Sequence, residues 1–176
     1  MRSQWVNAGL DALRKGGVAA VRVERLADAV GVTKGSFYHH FRDRGALLEA
    51  LLEYWSREMT DAEFERIRTL RGGEGGTLRA RLLALAEDVL VKGMGRYDPP
   101  IRAWARHDRK AAATVAQVDR RRIRALTGLF REGGFGPDEA GTRARAFYTF
   151  LLGEPQVRAP ARAPAELGKM VKILAT

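Results

Sequence analysis

The sequence of 176 residues contains no cysteine, which excludes a disulfide framework, a thiolate nucleophile and a zinc site with cysteine ligands. It also lacks long hydrophobic runs, because no uncharged stretch approaches the roughly 18 residues that a membrane-spanning helix needs. The first 13 residues form no continuous apolar segment, so we expect no secretory signal. Together these absences predict a soluble, cytoplasmic protein.

Lysine is scarce, since only 6 of the 31 basic residues are lysine and 25 are arginine. A GC-rich coding sequence accounts for that preference, but it does not account for the excess of basic over acidic residues. With 21 acidic residues the chain carries a net charge of +10 at pH 7. Such an excess favours a polyanionic partner, namely nucleic acid, an acidic membrane surface or an acidic protein.

Patterns typical of β-strands are nearly absent. Apolar residues recur three and four positions apart along the whole chain, which predicts an all-α fold of about nine helices. A break is expected at 97–100, glycine breaks at 72–76, and a loop rich in proline, arginine and alanine at 155–164. The predicted helices are 3–15, 23–30, 33–40, 43–70, 77–92, 101–107, 111–131, 137–153 and about 165–176.

Residues 23–42 carry the most specific pattern, two short helices joined by a tight turn. A helix-turn-helix needs a small residue where its helices touch, and Ala27 supplies it. The turn needs a residue that adopts positive φ, and Gly31 supplies it. Thr33 is expected to cap the second helix through its hydroxyl, and Phe37 is expected to face the core. An ordinary helical hairpin is the alternative interpretation.

The second helix of this motif presents polar groups on its outer side. No acidic residue occurs between residues 33 and 42, which is what a surface facing DNA requires. Lys34, Ser36 and His39 are candidate donors to bases or phosphates, and Tyr38 is a candidate donor to a phosphate oxygen. The absence of a side chain at Gly35 would allow the backbone to approach DNA closely. The outward set is Lys34, Gly35, Ser36, Tyr38, His39 and His40.

The run VERLADAVGVTKGSFYHHFRDRGALL, residues 23–48, resembles the DNA-binding region of the TetR family of bacterial transcription regulators. The resemblance implies a homodimer with a three-helix DNA-binding head at 1–47 and a helical ligand-binding and dimerisation domain at 48–176. It also implies that the third helix enters the major groove and that Arg44, at the start of the fourth helix, grips a phosphate. The set expected to bind DNA is Arg22, Thr33, Lys34, Gly35, Ser36, Tyr38, His39, His40 and Arg44.

Two departures from the family pattern stand out. Relatives usually carry serine or threonine as the cap of the second helix, whereas Arg22 occupies that position here. The cap is therefore lost, and Arg22 is a candidate for direct contact with a phosphate. Relatives also often carry a basic arm before the first helix, whereas this sequence starts two residues ahead of that helix. Either this chain recognises the minor groove only weakly, or its sequence starts downstream of the natural start.

The body of the chain carries candidate ligand residues, of which Trp104 and His107 are favoured because they follow the break at 97–100. They suit an aromatic, mainly apolar ligand in a pocket between helices. The alternative for each is that it fills the core. The ligand set is Trp55, Met59, Met94, Tyr97, Trp104, His107, Phe130 and Tyr148.

The last two helices resemble, by position, the dimerisation pair of the family. The expected interface residues are Phe147, Leu151, Met170 and Leu174. The alternative is that these four side chains close the core of the monomer.

These features predict a homodimeric repressor that a small ligand releases from a palindromic operator in double-stranded DNA. An activator, or a DNA-binding protein of the same fold without an effector, is the alternative. An enzyme is not expected, because there is no glycine-rich phosphate loop, and the three histidines have no plausible catalytic partners. No cofactor and no metal site are expected. Arg120, Arg121, Arg122 and Arg124 could favour a membrane surface, but a solvated helix face is the preferred interpretation.

Overall fold

The computed structural model describes residues 1–70, 76–157 and 164–176, and every regular element in these ranges is helical. The chain divides into two compact units. The first unit comprises Met1–Met59 and Arg96–Ala116, and the second comprises Thr60–Gly95 and Gln117–Thr176. The prediction of an all-α fold is therefore confirmed. None of the helices within the described ranges combines the length and apolarity needed to cross a membrane.

The helices of the first unit begin where local capping signals occur. The Asp43 carboxylate accepts a hydrogen bond of 2.8 Å from the backbone N–H of Ala46, so it caps α4 as the sequence predicts. Gly17, at φ 67°, ends α1. The elements are α1 (Arg2–Gly16), a 3-10 turn (Val18–Ala20), α2 (Val23–Val30), α3 (Lys34–Tyr38), α4 (Arg44–Ser56) and α7 (Asp98–Ala105).

In the second unit, the Thr77 hydroxyl accepts from the N–H of Ala80 and caps α6. This unit contains α5 (Ala62–Thr69), α6 (Leu78–Ala86), α9 (Pro137–Gly153) and α10 (Pro164–Ala175). Helix α8 (Arg109–Glu132) contributes residues to both units. Two π-helical segments, Arg57–Asp61 and Glu87–Val91, continue α4 into α5 and extend α6. The 3-10 turns are Met94–Tyr97 and Glu154–Gln156.

Each unit has its own apolar core. In the first, Phe37 is fully buried and packs edge-on against Trp5, with the ring centroids 5.2 Å apart, and it stacks on Phe41 at 5.5 Å. In the second, Phe130 and Phe147 are fully buried and belong to one cluster drawn from α5, α6, α8, α9 and α10. The aromatic cluster of the first unit fixes the helix-turn-helix, because Phe37 lies in α3.

The predicted helix pattern agrees with the structure in number but differs in three places. Nine helical segments occur in the described ranges when each π segment is counted with the helix that it continues. The helix predicted over 43–70 contains a π segment, and the one predicted over 33–40 is shorter. Pro99 and Pro100 do not break the chain but occupy the first turn of α7, where proline is tolerated. The glycine breaks and the loop at 155–164 fall largely on 71–75 and 158–163, outside the described residues.

Candidate nucleic-acid interface

The turn between α2 and α3 has the geometry that the sequence predicts. Gly31 adopts the left-handed conformation, with φ 74° and ψ 34°. The N–H of Val32 then donates to the carbonyl of Ala27 at 3.0 Å, which closes the end of α2. Ala27 is buried, as expected for the residue at the contact of the two helices. Residues 23–38 therefore form a helix-turn-helix.

Helix α3 is anchored on one side and open on the other. Phe37 holds the buried side, whereas the adjacent Tyr38 is 61% exposed and touches the edge of the Phe37 ring. Most of the outward set of polar residues is exposed as predicted, and two members are half-buried. The exposed members are Lys34, Gly35, Tyr38 and His39, and the half-buried ones are Ser36 and His40. Thr33, from the wider set expected to bind DNA, is also exposed.

Backbone approach at Gly35 is unobstructed, because a Cβ there would meet only the Thr33 hydroxyl, at an ordinary contact distance of 3.6 Å. The prediction that Thr33 caps α3 through this hydroxyl is wrong. Its backbone has the extended conformation of a cap residue, but the side chain forms no capping hydrogen bond. The Ser36 hydroxyl faces the sulfur of Met1 at 3.7 Å.

Lys34 is not the free donor that the acid-free segment suggested. Its Nζ lies 2.8 Å from Oε1 of Glu24 on α2, and both side chains are exposed. The hydrogen bond from Lys34 lowers the pKa of the Glu24 carboxyl below its ordinary value. The same bond raises the pKa of the Lys34 ammonium. Both groups therefore stay charged around neutral pH, and any DNA contact by Lys34 competes with Glu24.

Two arginines flank the motif, and each is bound to backbone. Arg22 precedes α2, provides no side-chain cap, and donates from Nε to the carbonyl of Ala19 at 3.2 Å. Arg44 is exposed, yet its Nε and one terminal nitrogen donate to the carbonyls of Val21 and Val18, each at 2.6 Å. The structure thus gives Arg44 a role within the head, joining α4 to the turn before α2. Its contact with phosphate stays a prediction.

Sequence reasoning missed three charged residues near this surface. Glu24 lies ten residues before Lys34, outside the acid-free segment 33–42. Arg25 is exposed on α2, and Arg42 is exposed beside Asp43, with Nε 3.2 Å from the carboxylate. The helix-turn-helix prediction itself contained the signal for Glu24, because the motif folds α2 against α3.

Comparisons with known proteins find a family model and curated regulators that match part of the chain. The family model described as bacterial regulatory proteins, tetR family, matches residues 6–51. The chain is 33% identical over 86 residues to the HTH-type transcriptional regulator BetI of Yersinia pestis, covering 49% of this chain and 42% of the relative. It is 37% identical over 109 residues to the HTH-type transcriptional repressor Rv1474c of Mycobacterium tuberculosis, covering 57% of this chain and 53% of that protein.

Residues 6–51 therefore match the family that the sequence resembles. The family model describes regulatory proteins rather than enzymes, as the sequence predicts. The chain spans about half the length of the curated relatives that it matches. The reduced form of E. coli NemR has the same fold, with a TM-score of 0.77 at 21% identity, covering 98% of this chain and 96% of NemR.

The ligand residues predicted from the sequence are divided between the two units. Trp55 is fully buried, and its indole N–H donates to the Asp98 carboxylate at 3.2 Å. Phe130 and Tyr148 lie in the core cluster of the second unit, and the Tyr148 hydroxyl donates to Asp119 at 2.7 Å. The first unit holds Trp55, Met59, Tyr97, Trp104 and His107, and the second holds Met94, Phe130 and Tyr148.

The two favoured ligand residues differ in exposure. Trp104 is buried, whereas His107, which follows the end of α7, is exposed. For Trp55, Phe130 and Tyr148, the alternative that each side chain fills a core is therefore the one that the structure supports. A pocket that joins the predicted residues stays a prediction.

The four predicted interface residues differ in burial. Phe147 and Leu151 belong to the core of the second unit, which is the alternative that the sequence left open. Leu174 is half-buried against the same core. Met170 is 38% exposed and is the one member of the set that remains open to solvent. Ile173, 70% exposed on α10, was missed, because an apolar residue in a helix is expected to be buried.

Proposed function

We propose that the chain is a sequence-specific, DNA-binding transcription regulator that acts as a homodimeric repressor and leaves its operator when a small ligand binds. The observation that carries this proposal is the exposed face of α3. Tyr38, Lys34 and His39 project from a helix whose opposite side is locked into the aromatic core. In a helix-turn-helix, the second helix holds hydrogen-bond donors rigidly on its exposed side, which is the geometry that recognises bases in a major groove.

The proposal of a homodimer is supported by apolar side chains that the single chain leaves uncovered. Met170 and Ile173 are three residues apart on α10 and share a face. Ala146 and Thr149 are exposed on α9, beside the half-buried Phe150. Burial of such a surface against a second copy would account for its apolar character.

In vitro selection from a random library of duplex DNA at physiological salt tests sequence-specific binding. We expect enrichment of a palindrome whose half-sites lie about one helical turn, roughly 34 Å, apart. The matched variant is Gly35→Glu, which adds a negative charge to the DNA-facing side of α3 at a position with room for a side chain. It should lose the enrichment, whereas Gly141→Glu on α9, where a Cβ meets nothing within 4 Å, should retain it. Absence of enrichment, with binding that disappears as salt rises, would contradict specific recognition.

The oligomeric state is tested by sedimentation velocity over a range of concentrations. We expect a dimer that Ile173→Arg dissociates, because a charge would replace an exposed apolar side chain of α10. Val91→Arg places an arginine at a different exposed apolar position of the second unit and should leave the dimer intact. A monomeric chain, or a dimer insensitive to Ile173→Arg, would overturn this assignment of the interface.

The sign of regulation is tested by transcription in vitro from a promoter that overlaps the selected palindrome. A repressor should lower the transcript yield, and the Gly35→Glu variant should not. An increase in transcription would instead identify an activator. The Rv1474c relative is named a repressor, which favours the first outcome.

A further inference from the structure

A groove of about 390 Å³ lies in the second unit between α5 and α8. Its apolar wall includes Phe64 and Leu129, which pack on or within the core cluster. Gly128 also lines the groove, and a Cβ at this position would meet nothing within 4 Å. The missing side chain therefore leaves open space beside an apolar wall. The volume falls within the range of small-molecule sites.

The acidic residues that border this groove each have an arginine partner. Asp61 pairs with Arg121 at 2.8 Å, and Glu65 pairs with Arg68 at 2.9 Å. A third acid, Glu132, pairs with an arginine of α6, Arg81, at 2.7 Å. The charges of these three pairs cancel, so they provide no attraction for a cationic ligand.

Arg124 differs from the other arginines around the groove. It is exposed, it lines the groove, and it has no carboxylate partner among the residues that the structure describes. Its guanidinium is therefore an uncompensated positive charge beside the apolar wall. A planar guanidinium presents paired N–H donors that match the two oxygens of a carboxylate.

We propose that the groove binds a small amphiphilic monoanion, a carboxylate with an apolar body. The carboxylate would pair with Arg124, and the apolar body would lie along Phe64 and Leu129 in the space above Gly128. Arg68 also lines the groove but is paired with Glu65, so it does not favour a second negative charge on the ligand. This assignment differs from the aromatic pocket expected from the sequence, because none of the eight predicted ligand residues lines the groove.

The groove has a direct covalent connection to the DNA-binding head. Helix α5 continues through the π segment Arg57–Asp61 from α4, whose first residue, Arg44, binds the backbone before α2. A ligand that binds more tightly to one position of α5 would therefore also favour the corresponding position of α4. This regulatory role rests on the proposed function, whereas binding of the anion does not.

Isothermal titration calorimetry of the full chain tests the binding site. The probes are octanoate and 4-phenylbutyrate, with 1-octanol and octylammonium as the uncharged and cationic counterparts. We expect saturable binding of one carboxylate per chain, and binding of the two counterparts weaker by about tenfold or more. Failure of both carboxylates to bind at concentrations up to about 5 mM would overturn the proposal.

Two variants locate the site. Arg124→Gln should weaken binding of the carboxylate by about tenfold or more, whereas Arg145→Gln, at an exposed arginine of α9, should not change it. Gly128→Leu should fill the groove and abolish binding, and Gly141→Leu is its control because a Cβ there also meets open space. Circular dichroism verifies that each variant is folded. Binding that survives both Arg124→Gln and Gly128→Leu in folded protein would overturn the assignment.

Operator binding in the presence of the bound carboxylate separates the two proposals. Release of the operator by octanoate in the native chain, but not in Arg124→Gln, is the result expected of an effector site. Carboxylate binding without any effect on operator binding would support the groove as a binding site but overturn its regulatory role. Carboxylate binding by a chain that selects no DNA sequence would retain the site and overturn the proposed function instead.

Discussion

The Nζ atom of Lys34 lies 2.8 Å from Oε1 of Glu24, so an acid of α2 forms an ion pair on the exposed face of α3. If Lys34 contacts DNA, this ion pair must be broken or shared with a phosphate. We therefore expect Glu24→Gln to raise affinity for the selected operator, by about threefold to tenfold at low salt. Fluorescence anisotropy at several salt concentrations would measure the gain, which should shrink as screening increases.

The pKa shifts give this prediction a direction with pH. Lys34 lowers the pKa of Glu24, so the carboxyl protonates only at a pH below its ordinary range. Around neutral pH the native chain should thus bind less tightly than Glu24→Gln, and the difference should vanish only as acid protonates Glu24. Asp11→Asn removes the same charge from α1, where Asp11 lies 3.8 Å from Arg14, and serves as the control. Equal gains from both variants would mean that only net charge matters.

Tyr38 should contribute to DNA binding much more than to stability. Its ring is 61% exposed and touches only the edge of the Phe37 ring among the aromatic contacts described. We expect Tyr38→Ala to reduce operator affinity by about tenfold or more, which corresponds to about 1.4 kcal/mol, with the melting temperature nearly unchanged. Tyr54→Ala, at an exposed tyrosine of α4, is the control. Unchanged affinity of Tyr38→Ala in a titration at fixed salt would contradict this placement of α3.

The features that could be predicted from the sequence are those with local causes. Asp43 caps α4 through an N–H three residues away, and Gly31 ends α2 through its own φ angle. Spacing of apolar residues is likewise a property of one helix, so the helix count follows from it. The helix-turn-helix combines several such local signals, which is why its first helix, its turn and its buried Phe37 were predictable.

The features that escaped prediction depend on which residues meet across the fold. Glu24 reaches Lys34, and Arg44 reaches two backbone carbonyls, through contacts that no periodicity encodes. Phe147 is a further example. An apolar stripe on a helix predicts that its side chains are buried, but not whether they pack against the same chain or against a second copy. The aromatic ligand candidates share this ambiguity, and Phe130 proved to be core.

Substitution of Gly31 should destabilise the head through backbone strain alone. The residue has φ 74°, and a Cβ would meet nothing within 4 Å, so Gly31→Ala creates no clash with a neighbour. We expect a loss of about 1–2 kcal/mol in the free energy of unfolding, measured by urea denaturation. Gly128→Ala adds the same methyl group to open space within α8 and should stabilise the chain by about 0.5–1 kcal/mol. Similar effects of the two substitutions would contradict the conformational explanation.

Arg22 combines a lost helix cap with a predicted DNA contact, so its substitution should separate stability from function. The backbone of Arg22 has the extended conformation of a cap residue, at φ −119° and ψ 131°, but no side-chain oxygen. A serine hydroxyl at this position could accept from the orphan N–H groups of the first turn of α2. We therefore expect Arg22→Ser to raise the free energy of unfolding by about 1 kcal/mol.

The same variant should bind the operator less tightly, because one basic group near the phosphate backbone is removed. The slope of log affinity against log salt should fall by about 1, with little change in base preference. Arg25→Ser removes an exposed arginine from within α2, where serine cannot act as the cap, and so should lower stability slightly by helix propensity, about 0.5 kcal/mol. If Arg22→Ser is no more stable than Arg25→Ser, the missing cap does not limit the stability of α2. If its salt slope is unchanged, Arg22 makes no phosphate contact, and its bond to Ala19 is its main interaction.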